Sequence, residues 1–145
     1  MELNERLAKL RRMKGLTQAE LADKVGVTTR SIQNYELGTR TPKMDTVAKI
    51  AEALEIDEKA ILSDEDYFVI EAHEKYGSRG KKDAEELVKN ATALFSGGQL
   101  SENDKARVLE AIQEAYFEAK IINKKYTPKK YRKNNDNKTD DDDNE

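Results

Sequence analysis

The stretch TQAELADKVGVTTRSIQNYELG, from Thr17 to Gly38, decides the fold of this 145-residue chain. It contains two short helical patterns separated by a glycine, with a small residue where two helices would cross. Gly26 tolerates the positive φ of a three-to-four-residue turn, and Ala22 permits close contact between the helices. Ile32 is an apolar residue on the inner face of the second pattern. The stretch therefore predicts a helix-turn-helix whose second helix has its outer face free, an arrangement that suits entry into a DNA major groove.

Capping signals predict where these two helices begin and end. Thr17 and Glu20 form a T-x-x-E capping box, and Thr28 is a suitable N-cap for the second helix. Gly38 ends the second helix as a C-terminal glycine. Apolar spacing predicts one helix before the pair and two after it. Residues 1–62 are therefore expected to form a compact, five-helix, all-α DNA-binding domain.

The outer face of the second helix is polar and carries the candidate base-reading residues. On a helix that begins after Thr28, positions 29, 30, 33 and 34 lie near one face, away from the apolar positions. Arginine donates paired hydrogen bonds to guanine, glutamine or asparagine does so to adenine, and threonine contacts a thymine methyl group or a phosphate. We therefore expect base contacts from Thr29, Arg30, Gln33 and Asn34. The alternative is that these are solvated polar residues of a surface helix.

The loop after the second helix predicts contacts with the DNA backbone. Cations and hydroxyl groups in this position hold phosphates and fix the docking angle without reading sequence. The loop residues concerned are Arg40, Thr41 and Lys43. Arg11, Arg12 and Lys14, at the end of the first helix, are expected to do the same from the other side. An ordinary cationic surface loop is the alternative.

From Leu3 to Leu62 the sequence resembles the phage-repressor (Cro/CI, xenobiotic-response-element type) helix-turn-helix domains. The positions that carry the resemblance are Gln18, Ala22, Gly26, Ile32, Glu36 and Gly38. The resemblance implies that Gln18, with Thr17 beside it, lies against the phosphate backbone. It also implies that the four polar residues of the second helix face the groove, and that Ala22, Gly26 and Ile32 form the core of the motif.

Composition and local context argue against several other classes of protein. There is no cysteine, which excludes disulfides, thiolate metal sites and cysteine nucleophiles. No secretory segment or long apolar run is found, so we expect a cytoplasmic protein without membrane contact. His73 is the only histidine and has no neighbouring ligand set, so a solvated side chain is expected. The stretch Gly77–Lys81 has the glycines and lysine of a phosphate-binding loop, but no strand precedes it and no Ser or Thr follows. The sequence predicts no enzyme, no metal site and no cofactor.

The C-terminal half is predicted to be a separate helical region. Residues 63–66 are interpreted as a linker, and residues 67–123 as two or three amphipathic helices for dimerisation or regulation. One short helix is expected to end near Tyr76 and Gly77, and the longest to end near Asn123. These helices cannot bury their apolar faces alone, so they pack on the N-terminal domain or on a second copy. We favour the second copy, because a symmetric operator usually requires a dimer.

The end of the chain divides into a basic segment and an acidic one. Residues 124–133 are interpreted as a basic arm, the end of a run of seven cations that starts at Lys120. Phosphate contacts and a solvated helix end are equally compatible with it. Residues 134–145 carry one basic and six acidic side chains, although the whole chain has a net charge of only −3. Their low apolar content predicts a disordered acidic tail.

The C-terminal half also resembles a narrower group, the immunity repressors of phages and integrative elements of Gram-positive bacteria. The segments concerned are ALFSGG, the S-x-x-D helix start after it, and AYFEAKIINKKYTPKKYRK. In that group a partner metallopeptidase can inactivate the repressor. Because two glycines make the turn accessible, we expect a cut at Phe95 or Ser96; an ordinary turn between helices is the alternative.

These observations together predict a sequence-specific, DNA-binding transcriptional regulator. We expect an immunity-type repressor that binds a double-stranded DNA operator as a homodimer and has a metallopeptidase as a partner. The alternative is an antitoxin-like regulator whose C-terminal helices bind a toxin. The gene next to this one would discriminate between the two, since it encodes a metallopeptidase in the first case and a toxin in the second.

Overall fold

The computed structural model describes residues 1–126 and is helical throughout, with no strand in that range. The helices are α1 (Leu3–Met13), α2 (Gln18–Val25), α3 (Thr29–Leu37), α4 (Met44–Leu54), α5 (Glu58–Ile61), α6 (Asp64–Phe95) and α7 (Glu102–Tyr126). The all-α class and the five N-terminal helices are confirmed. The acidic tail and most of the basic arm lie beyond residue 126, outside the described residues.

The first five helices surround one hydrophobic core. Its largest fully buried side chains come from α2 to α6, and they are Leu21, Ile32, Val47, Ile50, Leu54, Ile61 and Ile70. The predicted helix caps are confirmed: Thr17 and Glu20 form the capping box of α2, and Thr28 caps α3. Gly26 and Gly38 end these helices with φ of 87° and 81°, a region that favours glycine.

We predicted a linker at residues 63–66. In the structure these residues are the capped start of α6. The hydroxyl of Ser63 accepts a hydrogen bond from the backbone N–H of Asp66 at 3.2 Å. The Asp66 carboxylate accepts the Ser63 N–H at 2.9 Å and also pairs with Arg6 at 2.9 Å. The acidic side chains of residues 64–66 therefore lie in the first turn of a helix, where negative charge is favourable. Asp66, through its pair with Arg6, holds α6 against α1.

The helix α6 bends sharply at Gly77, as the predicted end near Tyr76 and Gly77 requires. Gly77 has φ 72° and ψ −159°, so it separates a first half, residues 64–76, from a second half, residues 78–95. A Cβ at Gly80 would lie 2.3 Å from the carbonyl oxygen of Ala72, so the second half packs directly on the end of the first. The glycines of the stretch that resembles a phosphate-binding loop therefore build a helix corner.

A second core joins α6 to α7. Phe68 is fully buried there and makes edge-on ring contacts with Tyr116 and Phe117, both with centroids at 5.7 Å. The Tyr116 hydroxyl donates to Asp83 at 3.1 Å. Burial, with a smaller contribution from this hydrogen bond, raises the pKa of Tyr116 well above its ordinary value. Much of the apolar stripe of α7 is thus covered within the chain. Ile121 and Ile122 at the end of the same helix remain exposed, so packing on a second copy stays a prediction.

Candidate nucleic-acid interface

The recognition face of α3 is held outward by buried residues on the opposite side of the helix. Ser31, Ile32 and Tyr35 are buried, whereas Arg30 and Gln33 are exposed. Thr28 fixes the start of the helix, because its hydroxyl accepts the Ser31 N–H at 3.0 Å. The remaining base-reading candidates, Thr29 and Asn34, are half-buried at either end of this face.

Asn34 links the recognition helix to the loop that follows it. Its carbonyl oxygen accepts the backbone N–H groups of Thr39 and Arg40 at 3.1 and 3.3 Å. Its side-chain oxygen lies 3.3 Å from the Thr39 hydroxyl, which is a donor. The same hydroxyl also lies 3.3 Å from the Asn34 backbone carbonyl oxygen, so its single proton is donated to one of the two oxygens at a time.

Glu36 is a junction of three helices behind the recognition face. Its carboxylate accepts two hydrogen bonds from Arg11, from Nε at 2.6 Å and from Nη2 at 2.9 Å, and a third from Gln18 at 3.0 Å. Burial alone would raise the pKa of Glu36, but the bonds from Arg11 and Gln18 outweigh it and leave the pKa below its ordinary value. Arg11 also donates to the Leu16 carbonyl at 2.8 Å. The network fixes α1 and α2 against α3.

Arg11 is therefore a buried structural residue and not the phosphate contact that we predicted. Its side chain is 11% exposed, and that of Glu36 is 7% exposed. One signal in the sequence could have indicated this position: Arg11 lies four residues after Leu7, on the core face of α1. Arg12 and Lys14, the other cations predicted at this end of α1, are exposed.

The predicted phosphate-contacting residues occupy the two ends of the helix-turn-helix. Thr17 is the exposed cap of α2, and Gln18 next to it uses its Nε2 for Glu36. Arg40, Thr41 and Lys43 lie together along a cleft of about 500 Å³ that also contains the start of α3. Lys43 is exposed, whereas Nε and Nη1 of Arg40 are buried between this cleft and a larger one. Exposure therefore favours Lys43 over Arg40 as a cation for DNA.

The motif core lies where the two helices of the motif meet. Ala22 and Ile32 are almost completely buried. The Gly26 N–H donates to the Ala22 carbonyl at 2.9 Å, which closes the end of α2 and starts the turn. A larger side chain at position 22 would separate α2 from α3 and change the angle at which α3 projects.

The turn between α6 and α7 contains the predicted cleavage position. Phe95 is the last residue of α6 and is half-buried, and residues 96–101 are exposed. The Ser96 hydroxyl donates to the Ala93 carbonyl at 2.7 Å, and Gly98 has φ of 71°. The backbone after Phe95 is thus accessible.

Other kinds of site have little support in residues 1–126. None of these helices is long and apolar enough to cross a membrane. The same residues contain no group of three or more His, Cys, Asp or Glu side chains placed to hold a metal ion. The expectation of a solvated His73 was wrong, because its side chain is buried, with 8% exposed, on the inner side of α6.

The fold, with the exposed polar face of α3 as the second helix of the motif, defines a helix-turn-helix protein. The family model described as "Helix-turn-helix" matches residues 7–61. The immunity repressor protein of Bacillus phage phi105 is 31% identical over 140 residues, which is 91% of this chain and 96% of that protein. The chain belongs to the phage-repressor-like family of helix-turn-helix transcriptional regulators.

Two further relatives differ in how much of the chain they match. The cryptic phage CTXphi transcriptional repressor RstR of Vibrio cholerae is 45% identical over 56 residues, 39% of this chain and 50% of that protein. The SPbeta prophage-derived regulator YonR of Bacillus subtilis is 27% identical over 116 residues, 79% of this chain and 95% of that protein. Similarity to YonR and to the phi105 protein therefore extends well beyond the helix-turn-helix.

Proposed function

We propose that this protein is an immunity-type transcriptional repressor that binds a double-stranded DNA operator in the bacterial cytoplasm. The observation that carries the proposal is the outward face of α3, where Arg30 and Gln33 are exposed on a helix fixed from behind by Glu36. A rigid helix with a polar outer face meets the requirement for reading base edges in a major groove. The named repressors among the relatives support the sign of regulation.

The residues divide into base readers and backbone contacts. Arg30 pairs with a guanine, Gln33 or Asn34 pairs with an adenine, and Thr29 contacts a thymine methyl group or a phosphate. Phosphates are bound by a second set of residues at the ends of the motif. This set comprises Thr17, Gln18, Arg40, Thr41 and Lys43.

The test separates base reading from backbone binding on the same duplexes. Genome-wide mapping of bound sites first identifies the operator. Arg30→Ala should then cost about 1–3 kcal/mol on the operator and relax the preference at one base pair. Lys43→Ala is the matched control, and it should weaken binding to operator and random DNA alike while the salt slope falls by roughly one. An equal loss on both DNAs for Arg30→Ala would exclude a base-reading role.

We further propose that the repressor is a homodimer assembled through the C-terminal helices. Three large apolar side chains there are exposed: Leu94 by 79%, Ile121 by 65% and Ile122 by 46%. A dimer would place two copies of α3 about 34 Å apart, or a multiple of that, along the duplex. Replacing Ile121 and Ile122 with Glu should give a monomer by light scattering. Met13→Glu, at another exposed apolar residue, should leave the dimer mass unchanged.

Inactivation by a metallopeptidase is the third part of the proposal, with the cut at Phe95 or Ser96. A cut at this turn does not by itself detach α7, because α7 also packs on α6 through Phe68, Tyr116 and Phe117. A cut leaves α7 attached by these contacts alone, so release also requires them to separate. Phe95→Asp should preserve DNA binding and make repression resistant to induction. Normal induction of this variant, with the full-length chain persisting, would place inactivation elsewhere.

The antitoxin-like alternative makes a different prediction about partners. If the C-terminal helices neutralise a toxin, expression of the neighbouring gene alone should inhibit growth, and co-expression of this chain should restore it. A peptidase would instead leave growth unaffected and shorten this chain.

A further inference from the structure

The corner at Gly77 lies beside the loop that follows the recognition helix. Glu74, just before the corner, accepts the backbone N–H of Met44 through Oε1 at 2.9 Å. Met44 is the first residue of α4 and directly follows Lys43, a proposed phosphate contact. This bond therefore fixes the end of the first half of α6 next to the loop that follows α3, residues 38–43.

Three cations follow the corner within five residues. Arg79 and Lys82 are exposed, and Lys81 is half-buried. Lys81 lines a cleft of about 650 Å³ whose walls also include Arg40 and Thr41. Lys81 thus borders the same cleft as the loop that follows α3, and Arg79 and Lys82 are its exposed neighbours in sequence.

The carboxylates of the same cleft lie mostly away from the corner. Glu65 and Asp66 belong to the first turn of α6, twelve and eleven residues, or roughly 17 Å of helix, before Gly77, and Glu2 lies at the start of α1. Asp66 is also paired with Arg6 at 2.9 Å. Glu85 lies one turn after Lys81 and is the acidic side chain of this wall that is nearest to it in sequence.

The chemistry of the corner fits an anionic partner with little apolar surface. None of the exposed large apolar side chains in the described part of the chain lies between residues 74 and 90. Exposed cations are typical of surfaces that contact nucleic-acid phosphates, whereas the centre of a protein interface is depleted of lysine.

We propose that Arg79, Lys81 and Lys82 bind DNA backbone phosphates that flank the bases read by α3. The inference rests on the proposed operator binding and extends it to the C-terminal helical region. The contact is independent of base sequence, because lysine reaches a phosphate as a point charge. Its position is set by two features already described, the bond from Glu74 to Met44 and the close packing of Gly80 on Ala72.

The experiment measures affinity against salt concentration for the full chain on two duplexes, the mapped operator and a random sequence of equal length. The test variant is Lys81→Gln/Lys82→Gln. Its control is Lys49→Gln/Lys59→Gln, which removes the same charge from exposed positions on α4 and α5. The test variant should bind both duplexes several-fold more weakly, with a salt slope reduced by roughly two, and the control should keep the slope of the unmodified chain. Lys82→Gln alone, at an exposed position that packing does not require, should reduce the slope by roughly one.

Each other outcome overturns a defined statement. If the salt slope is unchanged for Lys81→Gln/Lys82→Gln and for Lys82→Gln, the corner contact is refuted while operator binding stands. Equal slope losses in test and control would show an effect of net charge and would also refute it. If the unmodified chain does not prefer any mapped site to the random duplex, the proposed function itself fails.

Discussion

Substituting Arg11 with Met removes the partner of a buried carboxylate and should strongly destabilise the protein. Glu36 would keep only its bond to Gln18, with a side chain that is almost inaccessible to water. Removing one member of a buried ion pair typically costs about 3–5 kcal/mol, because the other charge is left uncompensated. In a chain of this size, each kcal/mol lowers Tm by about 2–4 °C, so a decrease of roughly 6–20 °C is expected.

The pH dependence of this loss has a definite sign. In the unmodified protein the pKa of Glu36 lies below its ordinary value of about 4.3, so its contribution to stability is complete above that value and is lost as the pH falls through the folded-state pKa. In Arg11→Met, burial without the guanidinium raises the pKa of Glu36. The carboxyl then becomes protonated at a higher pH. The difference in unfolding free energy between the two proteins should therefore shrink from pH 7 to pH 4.

Urea unfolding followed by circular dichroism, at pH 7 and pH 4, measures both effects. The double variant Arg11→Met/Glu36→Met removes both charges and should recover much of the loss. Lys75→Met is the control for an exposed pair, because Lys75 and Glu71 lie 2.8 Å apart with both side chains about half exposed. It should cost less than about 1 kcal/mol.

The reasoning would be refuted by a loss below about 1 kcal/mol for Arg11→Met at pH 7. It would also be refuted if the loss were the same at both pH values, or if the double variant were less stable than the single one. Any of these results would mean that the charge of Glu36 is not held by Arg11.

Four further substitutions test the rest of the fold by thermal unfolding. Gly80→Ala should cost about 1–3 kcal/mol or more, because the new Cβ meets the Ala72 backbone, whereas Gly97→Ala has open space around it and should be neutral or slightly stabilising. Phe68→Ala should cost about 3–5 kcal/mol through the cavity left in the second core. Thr17→Ala should cost about 1 kcal/mol by removing the capping box of α2, and its effect should add to that of Phe68→Ala, since the two sites share no partners.

Local features of the fold could be predicted from the sequence because their partners lie within a few residues. The caps at Thr17 and Thr28 and the turn at Gly26 each depend on one hydrogen bond or one backbone conformation nearby. The start of α6 was also readable, since Ser63 and Asp66 have the spacing of a capping box. We nevertheless predicted a linker at residues 63–66.

Features that depend on distant residues could not be predicted in the same way. Arg11 and Glu36 are 25 residues apart, and no local period indicates that they meet. The burial of His73 depends on how α6 packs against the rest of the chain, which a helical pattern does not contain. Similarly, the partly buried guanidinium of Arg40 reflects the path of its loop beside α6. Residue type alone made Arg40 look equivalent to Lys43.

The first half of α6 belongs to both cores at once. Ile70, with Tyr67 packed beside it, belongs to the core of the DNA-binding domain, whereas Phe68 and Ala72 on the other face belong to the core shared with α7. Unfolding this half-helix, which is what exposes its backbone amides to exchange, therefore disrupts the packing of both cores. We expect the two cores to unfold as one cooperative unit, with slow amide exchange continuing from α4 into the second half of the chain.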